Sequence, residues 1–298
     1  MKSTLTFIHA LSPLHAGTGQ GVGVIDLPIA REKATNLPYL PGSTLKGSLR
    51  DELKDDKLRE AIFGPDSKDI TSDSAYSGSV VFTDQKLLCL PVRSLLGTFA
   101  WVTSPYILER FRRDCKETEN LGKKSVKQGF CVVSSNPKNE NKMKVKKLDR
   151  EIEQVILEDL DLTVQTDSNA DDWAKFLAEK IFPNSEKSPT NETWQTYFKQ
   201  RFCIVSDDVM NFLAETATEV IARNVLNDET KTSDNLWYEE SLPTETILSG
   251  LLLQVKGNHI SDIVEITKNS IQLGGSMTVG RGLCQMIIDT EVKTDANS

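Results

Sequence analysis

The sequence predicts an α+β fold of the ferredoxin-like kind, carrying long insertions and a projecting β-hairpin. Three observations lead there. A strand–helix–strand–strand order near the start is answered by a strand–helix–strand order at the end, as in a split βαβ sheet. Two glycine-rich loops, at residues 14–23 and 273–282, lie near opposite ends of the chain. Residues 228–235 are a turn-rich tip between two extended arms.

Along the chain, residues 3–11 alternate Leu5 and Phe7 with Thr4 and Thr6, the period of a strand. His9 falls in this strand. Residues 14–23 hold four glycines, too few side chains for a strand or helix core, so they form a loop whose backbone approaches something closely. Leu45, Leu49 and Leu53 then recur every four residues behind Pro41-Gly42, with Ser43 or Thr44 as the expected N-cap of a helix. Runs at 78–83 and 87–92 read as a hairpin, 95–102 as a further strand, and Ser104-Pro105 as the start of a helix to about Arg113. Residues 116–147 are basic and polar with little periodicity, which suggests a mobile insertion. Helices are expected at 148–160, 169–182 and 190–199, and again behind Ser206 through Ile221. A hairpin at about 222–243, a strand at 246–255, a helix at 260–272 and a last strand at 283–290 follow, with His259 in a loop. The whole reads as a single domain over 1–298, with an insertion at about 116–200.

The composition is that of an ordinary globular protein: 298 residues, 38% hydrophobic and 26% charged. No apolar run approaches the roughly 20 residues of a membrane span, and the N-terminus reads as a strand rather than a secretory peptide. These features place the protein in the cytoplasm. Five scattered cysteines and three histidines argue against stapling disulfides and structural zinc. The net charge of −8 excludes a protein that coats nucleic acid with its whole surface. Between Arg110 and Arg150, however, thirteen basic residues face five acidic ones, so an anionic partner meets a localised basic surface.

Neither glycine loop is a nucleotide-cofactor motif. Gly17-Thr18-Gly19 lacks the following Lys of a phosphate loop, and Gly280-Arg281-Gly282 precedes a strand, the reverse of the Rossmann order. Tight turns or the cradling of a polyanion remain. Asp26, directly after the first glycine run, either caps a turn before Pro28 or meets an RNA backbone and holds a divalent ion there. His15 either hydrogen-bonds RNA, donates a proton to a leaving oxygen, or is structural. Lys46 and Arg50 share one helical face behind Ser43, where a helix N-terminus attracts phosphate. Thr278 and Arg281 are similar candidates in the second loop. Trp237 and Tyr238 offer stacking surfaces, with Glu239 and Glu240 either part of the site or neutralising Lys231.

The blocks at 14–19, 26–32, 40–50, 90–105, 236–243 and 274–282 together resemble, in order, the repeating backbone subunits of type III-B CRISPR Cmr effector complexes, a branch of the RAMP superfamily. Residues 116–200 match none of its motifs. The resemblance implies a modified RNA-recognition-motif palm, a thumb hairpin and self-association into a helical filament along a CRISPR RNA, with other Cmr subunits as partners and no membrane. It further implies metal-dependent cutting of complementary target RNA at regular intervals, with Asp26 as the catalytic residue and a divalent ion, Mg or Mn, as cofactor. RNA-binding roles fall to His15, Gly17, Ser43, Lys46, Arg50, Trp237, Tyr238, Glu239, Thr278 and Arg281. The competing readings are a catalytically silent RNA-binding scaffold and, ranked last, a guide-processing endoribonuclease.

Overall fold

The computed structural model describes residues 2–19, 21, 24–65, 77–122, 125–135, 138–147, 150–184, 191–227, 229–230 and 232–290. Residues 66–76, within the polar loop that the sequence places at 66–77, and Lys123, Lys124, Asp228 and Lys231 lie outside the described residues. The first half contains β1 (Lys2–Ala10), β2 (Tyr39–Leu40), α1 (Gly42–Glu52), α2 (Asp56–Phe63), β3 (Val80–Phe82), β4 (Gln85–Arg93), β5 (Phe99–Thr103), α3 (Pro105–Asp114), β6 (Phe130–Val133) and β7 (Met143–Lys147). The second half continues with β8 (Arg150–Leu157), β9 (Leu160–Thr166), α4 (Ser168–Ile181), α5 (Asn191–Arg201), β10 (Phe202–Val205) and α6 (Asp207–Thr216). It ends with β11 (Glu219–Leu226), β12 (Ser233–Ser241), β13 (Ile247–Gln254), α7 (Ile260–Ile266), β14 (Ile271–Gln272) and β15 (Leu283–Ile288).

Among the described residues, thirteen strands join one curled, mixed sheet, and β11 and β12 pair only with each other. At one end of the sheet the order β15-β1-β13-β4 is antiparallel throughout, with α1 on the crossover from β1 to β4 and α7 between β13 and β15. The chain is therefore α+β as expected. Phe7, Ile8, Leu45, Leu49 and Leu248 are fully buried in one apolar core at this end. Each such side chain contributes about 1.5–3 kcal/mol relative to exposure. Pro91 is tolerated within β4 because the ladder to β13 stops at Cys89, so Pro91 has a strand partner on β5 alone.

Several expectations hold. Ser104 caps α3 through Ile107 N, with Pro105 at the first helical position, and Ser206 caps α6 through Val209 N. The projecting hairpin exists and begins slightly earlier, at Glu219. His9 lies in β1, where it pairs with Glu245, and His259 precedes α7.

Others are corrected. The run 78–83 does not pair with 87–92: β3 and β4 line up end to end along the same distant strand, β13. Residues 116–147 are not an unstructured insertion, since β6 pairs with β10 and β9, and β7 forms the sheet's edge beside β8. Its lysines suit an edge, where charge discourages pairing with another chain. Residues 148–160 are no helix. Ile152, Val155 and Ile156 match helical spacing, yet β8 pairs on both sides, with β7 and β9. The helix expected at 260–272 stops at Ile266, and Ile271 already belongs to β14. Ser43 is inside α1 rather than its cap: Pro41 holds that position and makes no side-chain bond. No described helix is long and apolar enough to cross a membrane.

Candidate functional site

Three segments converge at the base of the hairpin: the first glycine loop with its Asp26–Arg31 continuation, β12, and the second glycine loop. Glycine permits the approach. A methyl group on Gly17 would stand 2.5 Å from His15 Nε2, and one on Gly275 would stand 3.2 Å from His15 Cδ2, so the imidazole is held between the two loops. His15 Nδ1 donates to Glu240 O at 2.6 Å, and Gly275 N donates to His15 O at 3.0 Å. His15 is thus a buried tie between loops and β12. The ring thereby packs the two loops against β12.

The Asp26 segment adds itself alongside β12. Leu27 N donates to Tyr238 O at 3.0 Å, and Glu240 N donates to Leu27 O at 3.0 Å. Pro28 has no N–H to give, and the next donor, Ile29 N, is received by the Glu240 side chain at 3.1 Å. Asp26 itself is exposed. Its Oδ2 accepts from Tyr238 N at 2.8 Å, while Oδ1 has no partner among the described residues. Gly21, Asp26, Leu27, Asn235, Leu236 and Trp237 line an open cleft of about 390 Å³ at this point.

Glu239 and Glu240 are neighbours on a strand, so their side chains point to opposite faces and require different cations. Both are buried. Glu239 accepts from Trp237 Nε1 at 2.9 Å and from Arg223 Nε at 3.2 Å. Burial alone would raise its carboxyl pKa, but these two donors and the Arg223 charge outweigh burial and hold it below the usual range. Glu240 accepts from Arg31 at 2.5 Å and from Thr218 Oγ1 at 2.9 Å. Arg31 in turn donates to Asn36 O and Ala214 O, both at 3.0 Å. Among the described residues the partners are therefore Arg31 and Arg223; the alternative partner Lys231 lies outside the described residues. Sequence reading missed both arginines, although two adjacent strand carboxylates signal that two cations must be found.

The other candidates divide. Tyr238 and Thr278 are exposed, and Trp237 is half-buried with its indole N–H already engaged. Arg281 is buried and donates to Ser241 Oγ at 2.6 Å, so it braces β12. In α1, Ser43 is exposed and Lys46, half-buried, makes no ion pair among the described residues. Arg50 is committed to Gly64 O at 2.6 Å. The N-terminus of α1 already holds an anion, Asp84, which accepts from Gly42 N at 2.8 Å. The helix packs against β3, α2 and α7.

A resident divalent ion does not fit this donor set. Among the described residues no three His, Cys, Asp or Glu side chains converge, and Glu239 beside the cleft is spent on Trp237 and Arg223. Asp26 offers one carboxylate, so a cation there would depend on oxygens from the substrate.

A curled mixed sheet, two facing glycine loops and a carboxylate displayed beside a projecting hairpin define a class, and family comparison assigns it: the chain belongs to the RAMP superfamily, whose model matches residues 7–285. It is 34% identical over 302 aligned positions to the CRISPR system Cmr endoribonuclease Cmr4 of Pyrococcus furiosus, covering 97% of this chain and 96% of that protein. The crystal structure of oligomeric Cmr4 from the same organism superposes with a TM-score of 0.69 at 29% identity, covering 97% of this chain and 98% of the other. A chain of the type III-B Cmr-beta complex bound to cognate target RNA shares the fold, with a TM-score of 0.69 at 19% identity and 97% of both chains covered. The resemblance to the Cmr branch read from the sequence blocks holds.

Proposed function

We propose that this chain is a CRISPR RNA-binding backbone subunit of a type III-B effector complex, acting in the cytoplasm, and that it cuts guide-complementary target RNA through Asp26. The antiparallel order β15-β1-β13-β4 with its two helical crossovers supports reading that end as a ferredoxin-like, RNA-recognition-type palm. The β11–β12 hairpin is then the thumb. Self-association into a filament, with other Cmr subunits and two RNA strands as partners, is supported by 29% identity to a relative described as oligomeric.

The observation that carries the cleavage reading is the unpartnered Oδ1 of Asp26 at the mouth of the cleft, in a chain 34% identical to a named endoribonuclease. In RNA cleavage by the internal nucleophile, a bond forms from the 2′ oxygen to phosphorus while the bond to the 5′ oxygen breaks in line. Asp26 Oδ1 takes the 2′-hydroxyl proton, and its Oδ2 stays fixed on Tyr238 N, which sets the direction of the free oxygen. The leaving 5′ oxygen takes its proton from water, because His15 is buried and its Nδ1 proton is committed to Glu240 O. The products are a 2′,3′-cyclic phosphate and a 5′-hydroxyl.

The test is Asp26→Asn in the guide-loaded complex. Cleavage is abolished while guide and target binding stay within a few-fold of wild type, since binding rests on many distributed contacts. Cleavage at the wild-type rate would instead favour the silent scaffold. Parallel reactions with and without EDTA decide whether the divalent ion is required.

A further inference from the structure

Asp26 sits on an irregular loop, and a carboxylate that accepts a proton in an in-line reaction must be held to within a fraction of an ångström. Three bonds, joining Asp26 and Leu27 to the main chain of Tyr238 and Glu240, fix the segment's beginning. Its far end is fixed differently. Pro28 interrupts the row of donors, and the only partner of Ile29 N on β12 is the Glu240 side chain.

Glu240 can take that role only while its charge is compensated. It is 2% exposed, and burying a lone carboxylate is costly unless it is paired and hydrogen-bonded. Arg31, two residues beyond Ile29 on the same segment, supplies the compensation at 2.5 Å. Arg31 also bonds Ala214 O in the last turn of α6 and Asn36 O, so the segment is tied to α6 as well as to β12. Thr218 Oγ1, just before β11, occupies the same Glu240 oxygen.

From this closed set of bonds we infer that Arg31 and Glu240 are a positioning pair that sets where the Asp26 carboxylate stands relative to the scissile phosphodiester. The pair acts through Ile29 N, and through it the catalytic segment is registered on the thumb strand. The inference rests on the reading of Asp26 given above.

The test uses the assembled, guide-loaded complex and three variants beside wild type. In Glu240→Gln the side chain keeps one carbonyl oxygen for three donors, so one of Arg31, Thr218 or Ile29 N loses its acceptor. In the double variant Arg31→Met with Glu240→Met the buried charges are replaced by apolar groups of similar length, a change that is often neutral for stability, while Ile29 N still loses its acceptor. Asp26→Asn is the third. Both pair variants are expected to lower the single-turnover cleavage rate at saturating target by tenfold or more, with target Kd within threefold of wild type. The double variant is expected to unfold cooperatively at a midpoint somewhat below wild type, because Ile29 N is left unpaired, and to assemble with guide as wild type does, which separates positioning from loss of fold. Cleavage by the double variant within twofold of wild type, in an assay where Asp26→Asn is silent, overturns the inference alone. Cleavage by Asp26→Asn overturns the reading beneath it, and the inference with it.

Discussion

Replacing Gly17 by Ala tests how the two glycine loops are joined. The added methyl would stand 2.5 Å from His15 Nε2, whereas ordinary contact begins at about 3.4 Å, so the ring has to retreat by nearly an ångström. It has little room: Gly275 backs its other face, and Nδ1 is anchored on Glu240 O at 2.6 Å. Overpacking costs about 1–3 kcal/mol. Losing a hydrogen bond to a buried carbonyl costs about 1–3 kcal/mol more if that carbonyl is left unpaired. A destabilisation of about 2–6 kcal/mol is expected, a large share of the roughly 5–15 kcal/mol typical of a folded domain. Gly47→Ala is the control. Gly47 lies in the exposed middle of α1 with nothing near its added methyl, so alanine there should stabilise by about 0.5–1 kcal/mol. Urea unfolding of the purified chain measures both. In a His15→Ala background the ring is gone, and Gly17→Ala should then cost less than about 1 kcal/mol, giving a large coupling energy. An equal cost of Gly17→Ala with and without the imidazole would refute the packing role of His15.

Other outcomes follow from the same geometry. Lys46→Ala should weaken binding for every guide sequence and remove about 0.7 from the logarithmic salt slope of a single strand, measured by titration at several salt concentrations. Arg50→Ala should instead lower the unfolding midpoint with the slope unchanged, because Arg50 is spent on Gly64 O. All five cysteines are buried and free, and burial pushes the thiols of Cys89, Cys115 and Cys284 up, Cys115 to about 11 and Cys284 to about 12. A thiol reagent should therefore label none of the five in the native chain and all five in urea. Because the folded pKa of Glu239 is depressed, its contribution to holding the hairpin base is present above the usual carboxylate value of about 4.3 and is lost as pH falls below it. The Trp237 indole resonance should report that transition, and Arg223→Ala should move it to higher pH.

The parts legible in the sequence are those set by local chemistry. Ser104-Pro105 and Ser206 announce helices because a hydroxyl and a fixed φ satisfy the first turn without help from elsewhere. The hairpin is legible from its turn-rich tip and extended arms. Long-range pairing is not. The stretch 150–157 has apolar residues at helical spacing and becomes a strand only because β7 and β9 flank it, and the lysines of 143–147 look unstructured until an edge gives them a place. The same limit governs the site. Asp26 and the glycine loops are visible as motifs, yet Arg281 and His15 look available for RNA and are in fact buried against Ser241 and Glu240. Arg31 and Arg223 are invisible as site residues until Glu240 and Glu239 are seen pointing to opposite faces of β12.

The central claim, that each copy of the chain cuts target RNA with its own Asp26, is tested most directly by mixed assemblies. Guide-loaded complexes are reconstituted from wild-type and Asp26→Asn chains at defined ratios, and end-labelled target RNA is resolved site by site. Cleavage at every site should fall in proportion to the mutant fraction, with target binding unchanged and the spacing between cuts preserved. Undiminished cutting in complexes built wholly from the variant, or loss of all sites from a single mutant copy, would contradict it.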